Sequence, residues 1–174
     1  PNGSGKTTLL KAISRVVAPT GGIIRLDGLP LADISSRDLA RSVAVVPQET
    51  TVGFDFTVRD VVLMGRYPHL TGITHLSDRS VNAISGGELQ RVIIARALAQ
   101  EPRHLLLDEA TSHLDISHQV EVLTTIKKLS GEIAVIGVFH DLNLAAYFCD
   151  EIIVLKNGKI EAAGTPAEVI TPAT

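Results

Sequence analysis

The 174-residue chain is 45% hydrophobic and carries 16 Lys+Arg against 19 Asp+Glu, a formal net charge of −3. That length and apolar content suit a single domain, 1–174, with its own core, and charge spread without a basic block gives no support to a nucleic-acid partner. Apolar runs such as Leu105-Leu106-Leu107 are far too short to span a bilayer, and a lone cysteine, Cys149, excludes an internal disulfide.

In chain order the elements read as α/β. Leu9, Leu10, Ile13, Val16 and Val17 recur at helical spacing until Pro19-Thr20-Gly21-Gly22 stops them. Ile23 to Leu26 reads as a strand closed by Asp27-Gly28, and Val43 to Val46 as a short buried strand ending at Pro47. Val58 to Met64 suits a helix, whereas Tyr67 to Asn82 is polar and has little period. A helix from Gly87 to Ala99, a buried strand at Leu105-Leu107 and a helix marked by Ile116, Val120, Leu123 and Ile126 follow. Ile133 to Val138 is the next strand, and Asn157-Gly158 between Ile152–Leu155 and Lys159–Ala162 is a strong hairpin signal. Strands alternating with helices imply a mainly parallel sheet flanked by helices on both faces.

Three stretches carry chemistry. The chain opens on Pro1-Asn2-Gly3-Ser4-Gly5-Lys6-Thr7-Thr8, the G-x-x-x-x-G-K-[ST] phosphate-loop pattern entered at its second position. Gly3 and Gly5 allow close backbone approach and positive φ, so that successive N–H groups and the following helix N-terminus face an anion. Lys6 can reach the β- and γ-phosphates of a nucleoside triphosphate, and the Thr7 hydroxyl can ligate Mg²⁺. A chain that opens at Pro is expected to be a fragment or a processed product.

The second stretch is Asp108-Glu109, which ends the Leu105-Leu107 strand where a doubly wound sheet places its ligands. Adjacent carboxylates there need a cation or a proton, and Mg²⁺ with ATP would supply the cation. The third is Ser85-Gly86-Gly87-Glu88, a helix start able to present a hydroxyl and backbone N–H groups to a phosphate. Local sequence alone is equally well explained as a helix cap, with Glu88 near the positive end of the dipole. His69, His75, His104, His113 and His118 lack metal-ligand spacing.

Together, in this order, the three stretches resemble the ATP-binding cassette (ABC) ATPases, from Pro1 to about Glu168. The resemblance implies a P-loop NTPase fold of the ABC type, with a helical and signature subdomain over about 53–99. It assigns ATP to Asn2, Gly3, Ser4, Gly5, Lys6, Thr7 and Thr8, and Mg²⁺ to Thr7, Gln48 and Asp108. Glu109 would be the general base, Gln48 the Q-loop glutamine, His140 the switch histidine that contacts the γ-phosphate, and Asp115 the D-loop aspartate. Ser85, Gly86 and Gly87 would complete the ATP site of a second, identical subunit, so a homodimer is implied.

Finer features are similar to importers for iron-siderophores, haem or cobalamin: Val61 to His69, Thr111-Ser112-His113-Leu114-Asp115, His140 to Ala145 and Gly164 to Val169. The resemblance therefore implies an integral-membrane permease as partner, a substrate-binding protein acting indirectly, no nucleic acid, and a peripheral place on the cytoplasmic face of the membrane. Phe54, Phe56, Tyr67 and Pro68 are the expected docking surface for the permease, with core packing as the alternative. A soluble ABC ATPase of DNA repair or translation, or a non-hydrolysing remnant, are the alternative functions.

There are three departures from the family pattern. Its N-terminal antiparallel strands, with the aromatic that stacks on adenine, are not in this sequence, and without the strand leading into Pro1 weak or no ATP binding is expected. The stretch between Gln48 and Ser85 is short, which implies a shortened helical subdomain. Ala110 stands where this subgroup usually has Pro, with little expected effect.

Overall fold

The computed structural model describes residues 3–48, 55–64 and 79–170. These fall into two compact units, one of residues 1–33 with 138–174 and one of residues 34–137.

The larger unit is built on a sheet of three strands in the order β3 (Val43–Val46), β4 (His104–Asp108), β5 (Ala134–Val138). β3 and β4 run parallel, in a register that sets Val43 against His104 and Val46 against Leu107. Leu105, Leu106 and Leu107 are consecutive and all buried, as a strand covered on both faces requires. Backbone bonds extend the ladder below both pairs: Arg103 N–H donates to Ser42 O at 2.9 Å, and Ala134 N–H donates to Arg103 O at 2.8 Å.

Among the described residues, four α-helices belong to this unit: α2 (Ser36–Ser42), α3 (Val58–Leu63), α4 (Gly86–Leu98) and α5 (Ile116–Leu129). Each starts at a side-chain cap, Ser35, Thr57, Ser85 and Asp115 respectively. The core gathers Val92, Ile93, Ile94 and Leu98 of α4 with Val58, Val61 and Val62 of α3, Val122 and Ile126 of α5, and the inner strands. Full burial of one such side chain contributes about 1.5–3 kcal/mol, so α4, apolar on most of its circumference, is held chiefly by packing.

The other unit holds α1 (Lys6–Ile13), two antiparallel hairpins, α6 (Leu142–Phe148) and the short α7 (Pro166–Val169). The small hairpin pairs β1 (Arg25–Leu26) with β2 (Leu29–Pro30) across Asp27-Gly28. The long one pairs β6 (Ile152–Lys156) with β7 (Lys159–Gly164), and Asn157 and Gly158 at its tip take φ of 51° and 74°. Two successive left-handed residues are what a two-residue turn between right-twisted strands demands. Helix α1 is shorter than its apolar spacing suggests. It stops at Ile13, where the Ser14 hydroxyl donates to Leu10 O at 2.9 Å and Arg15 turns to φ 60°, leaving Val16 and Val17 exposed.

Candidate functional site

The phosphate-loop residues lie in the unit of residues 1–33 and 138–174; Asn2 is outside the described residues. Gly3 and Gly5 take φ of 75° and 95°, left-handed values that an L side chain rarely adopts. Between them Ser4 is buried, and the Lys6 ammonium folds back to donate to Ser4 Oγ at 3.3 Å. Gly5 is the N-cap of α1 and supplies no side-chain acceptor, unlike the caps of the four helices named above. The loop thus combines glycine curvature with a helix start that no cap side chain covers, which fits an anionic phosphate chain. Thr7, half-buried, and Thr8, exposed, stand in the first turn of α1. The Gly158 N–H at the hairpin tip donates to Ser4 O at 3.2 Å.

His140 is exposed and directly precedes Asp141, the N-cap of α6. The Asp141 carboxylate accepts from Asn143 N–H at 2.7 Å and Leu144 N–H at 3.2 Å, which fixes the chain at the histidine's doorstep.

The remaining site residues belong to the unit of residues 34–137. Because β3 and β4 are parallel and Val46 is paired with Leu107, their carboxyl ends lie side by side. Gln48 follows one strand by two residues; Asp108 is the last residue of the other and Glu109 comes next. The register therefore places Gln48 and the carboxylate pair at one edge of the sheet, outside the strand ends where α/β ligands bind. Asp108 is buried, at 9% exposure, a position that suits a carboxylate with a cation to hold. Glu109 takes φ 51°, a left-handed conformation that redirects the chain immediately after the strand. Its carbonyl accepts from Ser112 N–H at 3.0 Å.

Ser85 is the N-cap of α4 in a reciprocal capping box. Its hydroxyl accepts from Glu88 N–H at 3.3 Å and donates to Glu88 Oε2 at 2.7 Å, while Ser85 N–H donates to the same oxygen at 2.8 Å. Those bonds, the backbone one first, hold the Glu88 carboxyl below its usual range, helped by the Arg79 and Arg91 charges. In this single chain the Ser85 hydroxyl thus serves its own helix, as the capping alternative expects. Gly86 has open space where a Cβ would stand, whereas a Cβ on Gly87 would meet Leu114 Cδ2 at 3.2 Å.

Asp115 is the N-cap of α5. It accepts from the Ser117 hydroxyl at 2.6 Å, His118 N–H at 3.0 Å and His118 Nδ1 at 2.8 Å, and these bonds drive its carboxyl far below the usual range. Spacing alone did not single out Gln119. Its side-chain amide donates to Thr111 O and Leu114 O, both at 2.9 Å, and so spans the turn that leads from Glu109 to Asp115.

Of the expected docking residues, Phe54, Tyr67 and Pro68 lie outside the described residues. Phe56 is half-buried and packs against the core, the core-packing alternative for that residue. No helix among the described residues is long and apolar enough to cross a membrane.

Residues 1–112 match the family model described as ABC transporter. The whole chain is 43% identical to the cobalamin import ATP-binding protein of Halobacterium salinarum and covers 49% of that protein. It is 41% identical to the ferric enterobactin transport ATP-binding protein of Escherichia coli, over 98% of this chain and 71% of that one. The chain spans about half the length of the first of these relatives. In fold it matches a solved structure of cbiO1 from Clostridium perfringens, described as part of the ABC transporter complex cbiONQ, with a TM-score of 0.85 and 30% identity, covering 97% of this chain and 76% of that one.

Proposed function

The chain belongs to the ABC transporter family, and from that membership we propose that it is the ATP-binding and ATP-hydrolysing part of an importer, powering uptake of a metal chelate of the iron-siderophore, haem or cobalamin class. The observation that carries this reading is the β3–β4 register, which gathers Gln48, Asp108 and Glu109 at one sheet edge. Relatives named for cobalamin import and ferric enterobactin transport support the substrate class.

In this reading the backbone N–H groups around Gly3 and Gly5 and the start of α1 bind the triphosphate, with Lys6 on its terminal oxygens. Thr7, Gln48 and Asp108 are the residues that would hold Mg²⁺, whose charge offsets that developing on the transferred phosphoryl group. Glu109 accepts a hydrogen bond from the attacking water and aligns it with the γ-phosphorus, and His140 contacts the γ-phosphate. Ser85, Gly86 and Gly87 act on ATP held by a second copy, with Asp115 between the two sites. Two copies close on two ATP molecules; hydrolysis opens them, and a permease converts that motion into uptake at the cytoplasmic face. A separate substrate-binding protein delivers the chelate to the permease.

The test is phosphate release by the complete subunit assembled with its permease, with and without Mg²⁺. Stimulation by a binding protein loaded with a cobalt or iron chelate is expected, as is loss of turnover in Lys6→Ala. Mg²⁺-independent turnover, or turnover indifferent to every loaded chelate, would overturn the assignment.

A further inference from the structure

The turn from Glu109 to Asp115 joins the end of β4 to α5 and carries two of the residues assigned to chemistry. Its backbone bonds include Ser112 N–H to Glu109 O at 3.0 Å and Leu114 N–H to Thr111 O at 3.1 Å. Yet it must keep Glu109 at φ 51° and hold Leu114, which is buried, against Gly87 of the signature helix. Left-handed backbone at a non-glycine residue persists only where its surroundings over-determine it.

Gln119 is built to contribute to this. It sits one turn into α5, with its own N–H bonded to Asp115 O at 2.9 Å, so its backbone is fixed to a 14-residue helix. Its side chain does not serve that helix, whose start Asp115 already caps. It turns back instead, and its amide nitrogen donates to Thr111 O and to Leu114 O, each at 2.9 Å. A primary amide has two N–H hydrogens and so satisfies two carbonyls at once. A glutamate at the same length is acceptor-only when ionised, and an asparagine is one methylene short. Thr111 is itself buried, so its carbonyl is poorly placed to find water instead.

We propose that Gln119 is a positioning residue for hydrolysis. Through the Thr111 and Leu114 carbonyls it holds the turn that aims Glu109 and presses Leu114 on Gly87, so one amide links general base, D-loop and signature helix. The inference rests on the role given to Glu109 above. It predicts that changing Gln119 affects turnover and leaves nucleotide affinity alone, because its two side-chain bonds go to the Thr111 and Leu114 carbonyls and not to a residue assigned to hold phosphate or Mg²⁺.

The experiment is steady-state ATP hydrolysis by the complete subunit in its transporter, comparing wild type, Gln119→Leu, Gln119→Glu and Glu109→Gln. Gln119→Leu keeps the approximate size and loses both donors; kcat should fall about tenfold to a hundredfold, the order expected when a catalytic group drifts by about an ångström, with KM for ATP within about threefold. Gln119→Glu should be at least as slow at neutral pH, because a carboxylate would face two carbonyl oxygens. Its kcat relative to wild type should then rise as pH falls toward about 5, where a protonated carboxyl regains one O–H donor. A purely structural role would lower the melting temperature and the folded fraction in proportion to activity at every pH, and that result overturns the proposal, as does wild-type kcat in Gln119→Leu. If Gln119→Leu fails to fold, the Gln119→Glu ratio decides alone: a rise on acidification supports the clamp and a flat ratio overturns it. Glu109→Gln separates the two readings. Normal turnover there removes the base assignment and the proposal with it, whereas an inactive Glu109→Gln beside a normal Gln119→Leu removes the clamp only.

Discussion

Leu114 Cδ2 stands 3.2 Å from the point a Cβ on Gly87 would occupy, so the D-loop leucine lies on the bare backbone of the signature helix. Its neighbour Gly86 has nothing within 4 Å of the same point. Two adjacent glycines of one motif therefore differ in what they tolerate.

Gly86→Ala should be neutral or stabilising by a few tenths of a kcal/mol, up to about 1, because alanine favours helix and meets open space. Gly87→Val should cost about 1–3 kcal/mol through overpacking against Leu114. Adding Leu114→Ala to Gly87→Val should recover part of that cost, which a double-mutant cycle by urea denaturation measures directly. Equal effects of one substitution at both glycines would show that the Leu114 contact is energetically silent.

Glu109 carries two consequences, one chemical and one conformational. Glu109→Gln should keep ATP binding while slowing turnover by about 10²–10⁴, the share of a general base. With the side chain removed, Glu109→Gly should be more stable than Glu109→Ala by about 1 kcal/mol, because φ 51° strains alanine and not glycine. Thermal melting of the pair checks this, and alanine proving the more stable would mean the backbone is not held left-handed.

Ser85→Ala removes the acceptor for Glu88 N–H and should cost about 1 kcal/mol, the usual worth of an N-cap. Ser85→Arg loses the same cap and adds bulk and charge. If Ser85 faces a second copy, Ser85→Arg should abolish ATP-driven dimerisation while Ser85→Ala retains most of it. Size exclusion with ATP in the Glu109→Gln background distinguishes them, and identical behaviour would confine Ser85 to its own helix.

Acid should loosen the helix starts. Glu88 is held below its usual range by Ser85 N–H and then the Ser85 hydroxyl, Glu168 by Thr165 N–H and then its hydroxyl, and Asp60 by the Thr57 hydroxyl and then its N–H. Asp115 is held down most, by the Ser117 hydroxyl first and His118 after it. A carboxyl depressed in the folded state contributes stability above its unfolded value, and that contribution is lost as pH falls through the folded one. The urea midpoint should therefore be level near neutral pH and fall below about pH 4.5. Asp115→Asn, which keeps an acceptor for His118 N–H, should flatten part of that fall; an unchanged slope would remove Asp115 from the account.

The phosphate loop, the Asp108-Glu109 strand end and the Asn157-Gly158 turn were legible because each rests on residue types that local geometry demands: glycine for positive φ, consecutive leucines for a doubly covered strand. Helix α2 leaves no such trace, since Ser36–Ser42 buries only Leu39 and shows no apolar period; its signal is the cap, Ser35 with Asp38, whose N–H reaches Ser35 Oγ at 3.1 Å. The apolar spacing overruns helix α1 because Val16 and Val17 continue it while the Ser14 back-bond and left-handed Arg15 end the helix. Gln119 was invisible for another reason: its partners are backbone carbonyls, which carry no side-chain signature.

The bond from Gly158 N–H to Ser4 O has a temporal side. A ribosome makes Ser4 long before Gly158. The loop that would seize phosphate emerges among the first described residues, and its carbonyl tether arrives only when the β6–β7 hairpin has closed. Contacts of such sequence separation form late and slow the reaction that needs them. A nascent chain halted before Lys159 should thus leave Ser4 O without this donor, and nucleotide capture during synthesis should switch on only after the β6–β7 hairpin clears the exit tunnel.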